Sequence, residues 1–165
     1  MRFITIHWTA GAYSANAVDR RHYHFIVEGD GRVVSGLFKP EANRPPLRNG
    51  AYAAHCGGGN SHNIGVALAG MAGYRNPANP GRYPLTARQC EAAWEYVAYL
   101  AHRYGISVTP ETVFTHYEFG RRTVNSDSFG KIDIIHLPYE PSLKAHEVGG
   151  YIRNKVEWYR RKLTV

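Results

Sequence analysis

The chain has 165 residues, the size of a single domain. Its 20 Lys and Arg residues outnumber its 13 Asp and Glu residues, which gives a net charge of +7, and 44% of its residues are hydrophobic. This apolar content argues against an intrinsically disordered chain. No apolar run reaches the roughly 18 residues that a membrane-spanning helix needs. Two cysteines, Cys56 and Cys90, are too few for a disulfide-rich scaffold and leave a single bridge open.

The first elements are predicted to be a strand, a short helix and a hairpin. Residues 2–7 form a β-branched and aromatic run that ends at His7. Residues 14–21 are predicted to form one or two helical turns. An Asp-Gly pair separates two apolar runs within residues 23–35, and this pattern is typical of a β-hairpin.

A long loop, a strand and a helix are predicted next. The loop, residues 39–60, is rich in Pro, Gly and Asn, and residues 63–69 are apolar throughout, as expected for a central strand. Thr86 followed by Gln89 predicts the start of a helix through a capping box, and Gly105 predicts its end.

The last third of the chain is predicted to hold a short strand, an irregular segment and a helix. Residues 112–115 form the strand, which ends at His116, and residues 117–141 are predicted to be irregular. The helix is predicted to start with Ser142 as its cap and to run to about residue 162, with a break at its Gly-Gly pair. The order of elements predicts a mixed sheet with helices packed on it, an α/β or α+β domain.

Two of the nine histidines follow predicted strands. Imidazoles at the ends of neighbouring strands, His7 and His116, would make half of a zinc site that keeps one position open for water. The third ligand should come from the irregular segment after His116. Asp127, Asp133 and His136 are candidates there, and spacing does not choose among them.

Five motifs occur along the chain in a fixed order. They are a strand closed by a histidine, a Tyr-His-Phe hairpin, a histidine loop before an Ile-Gly strand, a Thr-x-x-Gln helix, and a histidine followed by a Lys-x-Asp pair. In this sequence they are Ile6-His7-Trp8-Thr9-Ala10, Tyr23-His24-Phe25, His55 to Val66, Thr86-Ala87-Arg88-Gln89, and His116 with Lys131-Ile132-Asp133.

With these motifs, the chain resembles the zinc-dependent N-acetylmuramoyl-L-alanine amidases, the family that contains short phage lysozyme-amidases and peptidoglycan recognition proteins. The resemblance extends from about Phe3 to Pro138. It implies an α/β fold with a central mixed β-sheet flanked by helices, in which residues 1–165 form a single zinc amidase catalytic domain. The implied reaction is hydrolysis of the amide between N-acetylmuramic acid and the L-alanine of the stem peptide, with one Zn²⁺ per chain.

The resemblance also implies residue roles. His7, His116 and Asp133 correspond to the zinc ligands. Lys131 corresponds to the lysine that stabilises the oxyanion formed when water adds to the carbonyl. Tyr23 corresponds to a tyrosine beside the metal that orients or deprotonates the attacking water.

Four further residues are predicted to support the site. His55, Asn60 and His62 lie in the region where the family lines its substrate groove, so direct substrate contact is expected; simple surface exposure is the alternative. Glu118 lies two residues after His116 and is predicted to orient a ligand imidazole; a solvated loop carboxylate is the alternative.

The leading interpretation is a phage-type endolysin. One alternative is a non-catalytic peptidoglycan-binding module, although this chain keeps all the residues that such relatives lose. Another is a cytosolic muropeptide-recycling amidase, but that branch carries a glutamate where Ala67 and Ala69 stand here. Nucleic-acid binding is suggested by charge alone, and the chain has none of the usual sequence motifs for it.

The basic charge of the last residues and the pattern of the first ones predict where the protein acts. Residues 141–165 carry six basic and two acidic side chains, so a basic C-terminal helix is expected to attract an anionic cell envelope. The chain starts with a predicted strand and shows no signal-peptide pattern. We therefore expect a monomer that is made in the cytoplasm and reaches the cell wall, in the periplasm or outside the cell, after release.

Overall fold

A five-stranded mixed β-sheet forms the centre of the computed structural model, which describes residues 1–163. The strand order is β3-β2-β4-β1-β5; β3 is antiparallel to β2, and all other neighbours are parallel. The α/β prediction, with a central mixed sheet flanked by helices, is therefore confirmed. The strands are β1 (Phe3–Trp8), β2 (Phe25–Val27), β3 (Val33–Ser35), β4 (Asn63–Leu68) and β5 (Val113–Thr115).

Four α-helices accompany the sheet within the described residues, and a short 3₁₀ turn, Pro40–Asn43, interrupts the long loop before β4. The helix α2 agrees with its prediction at both ends, because Thr86 and Gln89 form the capping box and Gly105 ends the helix at a φ of 65°. The α-helices are α1 (Ala17–His22), α2 (Ala87–Tyr104), α3 (His116–Arg122) and α4 (Ala145–Leu163).

One face of the sheet carries the hydrophobic core. Because successive side chains of a strand point to opposite faces, alternate residues of β1, Ile4, Ile6 and Trp8, belong to this core together with side chains of α2 and α4. Trp94 of α2 is fully buried among them, as the helical spacing of its apolar residues predicts.

The other face of the sheet carries polar groups. Thr5 and His7 of β1 lie on it, and both are fully buried. Gly65 of β4, which pairs with Thr5, leaves room there, since a Cβ at this position would lie 2.6 Å from the imidazole of His55. The glycine therefore lets His55, from the long loop, pack directly against the sheet.

The segment after β5 differs from its prediction. His116 begins the helix α3, whereas residues 117–141 were expected to be irregular. Thr115 caps this helix: its hydroxyl accepts a hydrogen bond from the Glu118 amide, and the Glu118 carboxylate accepts one from the Thr115 amide. This capping box stabilises a helix of only seven residues.

The last helix also differs from its prediction. It begins at Ala145, three residues after the expected cap Ser142, and it continues through Gly149 and Gly150 without a break. Gly149 faces the Glu118 carboxylate, which a Cβ at this position would strike. A glycine here thus permits the close approach of α4 to α3, and it does not interrupt the helix.

Substitution of the two neighbouring glycines is expected to have opposite effects. Gly149→Ala should lower the free energy of unfolding by about 1–3 kcal/mol, because Glu118 is held by Thr115 and by Arg153 at 2.9 Å and cannot move without losing these bonds. Gly150→Ala is the control: its Cβ meets nothing within 4 Å, so the better helix propensity of alanine should add about 0.5–1 kcal/mol. Urea unfolding of both variants measures the difference, and equal effects would contradict it.

Two further expectations are settled by the fold. Cys56 and Cys90 are both buried as free thiols, so the bridge that the sequence left open does not form. Over residues 1–163, none of the helices combines the length and the apolar character needed to cross a membrane.

Candidate metal centre

The carboxyl edge of the parallel strands brings the two strand-end histidines together. His7 lies near the end of β1, and His116 directly follows its parallel neighbour β5. Since the carboxyl ends of parallel strands meet at one edge of a sheet, this is where sites form in such folds. Asp133 reaches the same place from the loop after α3. The imidazole centroids of His7 and His116 are 4.7 Å apart.

Asp133 lies between the two imidazoles. Its Oδ2 is 2.8 Å from His7 Nδ1 and 3.3 Å from His116 Nδ1, and one ligand atom from each of the three residues lies within 4.8 Å of the others. The other two candidates for the third ligand are not part of this cluster. Asp127 is an exposed residue at the cleft, and His136 is buried with its ring 6.2 Å from that of Tyr74.

Burial and mutual contact set the charges of these groups. Burial, the largest cause, lowers the pKa of His7 to about 4 despite its contact with Asp133, so its imidazole is neutral at pH 7. Burial alone would raise the pKa of Asp133, but the contacts with His116 and His7 outweigh it and lower this pKa to about 2. Asp133 is therefore an ionised carboxylate beside a neutral imidazole.

This donor set fits a zinc ion. Zn²⁺ in catalytic sites takes three nitrogen or oxygen ligands and keeps a fourth position open, with bonds of about 2.0–2.2 Å. Tetrahedral bonds of that length place donor atoms about 3.3–3.6 Å apart. Asp133 Oδ2 is 3.3 Å from His116 Nδ1 and 2.8 Å from His7 Nδ1, so the first distance matches and the second would have to lengthen when the ion binds. A buried carboxylate facing two imidazole nitrogens is also a place where a cation would relieve the repulsion between lone pairs.

His116 and Asp133 line a cleft of 570 Å³, which both predicted catalytic side chains also line. The third proposed ligand, His7, is fully buried and contacts Asp133. The ring of Tyr23 is 5.0 Å from that of His7. Burial, and then the charges of Asp133 and Asp19, raise the pKa of its phenol. This favours a protonated phenol that donates a hydrogen bond. Lys131 is exposed at the rim of the cleft, and its positive charge is one of the causes that lower the pKa of His7.

His55 lines the same cleft as His116 and Asp133 and contacts His7. It is only 6% exposed, its Nδ1 is 3.0 Å from His7 Nε2, and its Nε2 is 3.1 Å from the carbonyl oxygen of Asn63. Burial lowers the pKa of its imidazole well below the usual value. With both ring nitrogens occupied by protein groups, hydrogen bonding of His55 to substrate does not fit this geometry, although the residue lines the cleft. The predicted substrate contact stays a prediction.

Asn60 and His62 also occupy places that differ from the expected substrate groove. The side-chain oxygen of Asn60 accepts hydrogen bonds from the amides of His55 and Cys56, at 3.0 and 2.8 Å, and so shapes the loop that carries His55. His62 is half-buried and lines a separate cavity with Phe119 and other side chains.

Glu118 orients no ligand imidazole in this geometry. Its carboxylate accepts from the Thr115 amide and pairs with Arg153 of α4 through two hydrogen bonds of 2.9 Å. The carboxylate therefore joins α3 to α4 at the end of β5, and it acts on His116 only through the position of the helix that His116 begins.

Ser128 contacts the proposed ligand His116, and the sequence does not predict this contact. Its fully buried Oγ lies 3.0 Å from His116 Nε2 and 2.7 Å from the carbonyl oxygen of Gly57. A single serine in a segment without periodicity carries no pattern from which this contact could be predicted.

A comparison with protein families identifies the family of this chain. Residues 1–129 match the Amidase_2 family model, described as N-acetylmuramoyl-L-alanine amidase. This range includes His7, Tyr23 and His116 and ends before Lys131 and Asp133. No protein with a curated function matches the sequence.

Two solved structures resemble this fold. The N-acetylmuramoyl-L-alanine amidase LysC from Clostridium intestinale URNW has a TM-score of 0.53 and 17% identity, over 94% of this chain and 85% of that chain. The endolysin N-acetylmuramoyl-L-alanine amidase LysCS from the same organism has the same TM-score and identity, over 94% of this chain and 83% of that chain. At this identity the likeness shows the fold.

Proposed function

Because the chain belongs to the N-acetylmuramoyl-L-alanine amidase family, we propose that it hydrolyses the amide between N-acetylmuramic acid and L-alanine in peptidoglycan, with one Zn²⁺ per chain. The observation that carries the proposal is the convergence of His7, His116 and Asp133, of which His116 and Asp133 line an open cleft. A carboxylate beside two imidazoles, open to a cleft on one side, is the arrangement that a hydrolytic metal site requires.

The proposed ligands are His7 Nδ1, His116 Nδ1 and one oxygen of Asp133. Zn²⁺ bound there would supply a Lewis acid for the scissile carbonyl and would lower the pKa of a bound water. The protein contributes a rigid edge of the sheet, because both histidines are buried, at 0% and 6% exposure, and cannot turn away from the cleft.

Tyr23 and Lys131 are proposed to serve the reacting groups directly. The protonated phenol of Tyr23 would donate a hydrogen bond that orients the attacking water or the substrate carbonyl. The ammonium group of Lys131, at the rim of the cleft, would stabilise the negative charge that develops on the carbonyl oxygen. Its exposed position lets it reach a substrate that enters from solvent.

We propose further that residues 1–165 act as a single catalytic domain, as a monomer, in the manner of a phage-type endolysin that reaches the cell wall after release. Support comes from the five-motif order and from the helix-flanked sheet, which the family model covers over most of its length. The main alternatives are a non-catalytic peptidoglycan-binding module and a cytosolic muropeptide-recycling amidase.

Release of L-alanine amino termini tests the activity. Purified protein with one equivalent of Zn²⁺ is incubated with intact peptidoglycan sacculi and, separately, with a small soluble muropeptide. An endolysin should generate new L-alanine amino termini from both substrates. Cleavage of the muropeptide alone would favour the recycling alternative. Binding to sacculi without new amino termini from either substrate would favour the binding module and overturn the amidase proposal.

The basic C-terminal helix is proposed to attract an anionic cell envelope. Several of its cations already have partners: Arg153 pairs with Glu118, Lys155 with Glu91, and both Arg160 and Arg161 with Glu157. At its end, Lys162 Nζ lies 3.4 Å from the ring centroid of Trp158, whose side chain is 49% exposed. This end of α4 thus combines positive charge with an exposed aromatic ring.

Replacing Arg160, Arg161 and Lys162 by glutamine should weaken lysis of whole walls and spare cleavage of a soluble muropeptide. Electrostatic attraction to an extended anionic surface is lost, whereas the cleft is unchanged. Lysis rates at low and high salt measure the effect, and the difference between variant and parent should shrink at high salt. Equal losses on both substrates would show that these residues serve the fold or the site.

A further inference from the structure

We propose that His55 and Ser128 are positioning residues that hold His7 and His116 in the one tautomer in which both imidazoles present Nδ1 to the metal. The inference rests on the proposed metal site and adds to it the two groups that determine which ring nitrogen is available. Each group contacts the Nε2 atom of one ligand imidazole and connects it to a backbone carbonyl.

The chain of bonds behind His7 has a defined direction. The carbonyl oxygen of Asn63 can only accept, so His55 Nε2, at 3.1 Å, must carry the proton. In a neutral imidazole the other nitrogen is then an acceptor, and His7 Nε2 donates to it across 3.0 Å. His7 Nδ1 is therefore left as a lone pair 2.8 Å from Asp133 Oδ2. The Zn²⁺ proposed to bind both atoms would offset the repulsion between these two acceptors.

The chain behind His116 has the same direction. The single hydroxyl proton of Ser128 is donated to the carbonyl oxygen of Gly57, because two oxygens 2.7 Å apart would otherwise repel each other. Ser128 Oγ can then only accept from His116 Nε2, at 3.0 Å. His116 Nδ1 is left as the second lone pair.

The hydrogen bonds to the Nε2 atoms of His7 and His116 hold each imidazole in one orientation. An imidazole without such a partner can expose either nitrogen, and a ring flip would move the ligand atom away from Asp133. Groups that orient metal-bound histidines typically change metal affinity or activity by about 10- to 100-fold when they are removed. Burial of both groups, at 6% for His55 and 0% for Ser128, keeps water from replacing them.

Ser128→Ala tests the contact behind His116, with Ser126→Ala as its matched control. Ser126 lies in the same loop; its hydroxyl donates to Thr123 and accepts from the Ser128 amide at 3.2 Å. Its removal therefore takes hydrogen bonds from the same loop but leaves the Ser128 hydroxyl beside His116 in place. Ser128→Ala should weaken Zn²⁺ binding by about 10- to 100-fold in competition with a chromophoric chelator, whereas Ser126→Ala should bind as the parent does. Urea unfolding of the metal-free variants shows whether either is generally destabilised.

The contact behind His7 is tested by a pair of variants at one position. His55→Asn can place an amide oxygen near the position of Nδ1 and still accept from His7, whereas His55→Leu removes the acceptor. We expect Zn²⁺ affinity to fall by about 10- to 100-fold in His55→Leu and to lie nearer the parent value in His55→Asn. Equal affinity in these two variants would contradict a hydrogen-bonding role.

Nitrogen-15 spectra of the imidazoles report the tautomer itself, independently of activity. In zinc-loaded parent protein, the Nδ1 signals of His7 and His116 should show metal coordination, and their Nε2 atoms should carry slowly exchanging protons. In Ser128→Ala the slow exchange should be lost at His116 alone. Coordination through Nε2 in the parent would overturn the inference. Tight Zn²⁺ binding without amidase activity would count against the proposed function and leave the positioning roles intact.

Discussion

Replacing His7 with alanine is expected to abolish zinc retention and amidase activity together. His7 supplies one of three proposed ligands, and its fully buried side chain leaves no neighbour able to take its place. His55 lies behind it with its Nδ1 directed at His7 and its Nε2 bonded to Asn63. Two remaining ligands should hold Zn²⁺ too weakly to survive gel filtration, and activity should fall below detection.

Metal content by atomic emission and release of L-alanine amino termini measure the two effects of this substitution. His102→Ala is the matched control, because His102 is an exposed histidine of α2 and should keep both properties. Asp133→Asn removes the negative charge at nearly constant volume, so it separates loss of the metal from loss of packing. An active, metal-free His7→Ala protein would refute the proposed site.

Lys131→Ala is expected to keep zinc and lose most of the catalytic rate. Within residues 1–163, the side chain of Lys131 makes no hydrogen bond to a proposed ligand. It lies exposed at the rim of the cleft. Loss of an oxyanion-stabilising group typically lowers kcat by about 100- to 1000-fold, or about 2.7–4 kcal/mol of transition-state stabilisation. KM should change much less, because the charge that Lys131 stabilises develops only in the transition state.

Steady-state kinetics on a soluble muropeptide, with zinc content measured on the same sample, check this expectation. Lys144→Ala, at an exposed lysine before α4, is the control for loss of one positive charge. Loss of zinc in Lys131→Ala would instead assign the lysine a structural role. An equal fall in kcat in both variants would point to long-range attraction of the substrate.

The sequence predicts the elements that have a local signal. The helix α2 has a capping box, a regular apolar spacing and a terminal glycine, and its observed bounds agree with all three. The helix α3 was missed although Thr115 and Glu118 have the spacing of a capping box, because the helix is short and lacks an apolar repeat. The Gly149-Gly150 pair was interpreted as a helix break, since a contact with Glu118 on another helix leaves no trace in the local pattern.

In the candidate site too, positions that follow from local sequence patterns can be predicted, whereas positions that depend on contacts between distant segments cannot. Hydrophobic patterns predict that His7 and His116 each end a strand. The sheet shows that these strands are parallel neighbours, which brings the two histidines to one edge. The choice of Asp133 over Asp127 and His136 depended on family resemblance, and the geometry of the three side chains now supports it independently. The positions of His55 and Ser128 depend on how two loops fold back behind the sheet, and no residue spacing determines that.

The contact between His7 and Asp133 joins residues 126 positions apart. An unfolded chain cannot hold two such distant groups together without a large loss of chain entropy, so the proposed ion should bind the folded state almost exclusively. The stability of the folded protein would then depend on the concentration of free Zn²⁺. Free Zn²⁺ at a hundred times its dissociation constant would add about 2.7 kcal/mol to the free energy of unfolding. A molecule that meets proteases or heat in a zinc-poor medium would therefore lose this added stability as well as its chemistry.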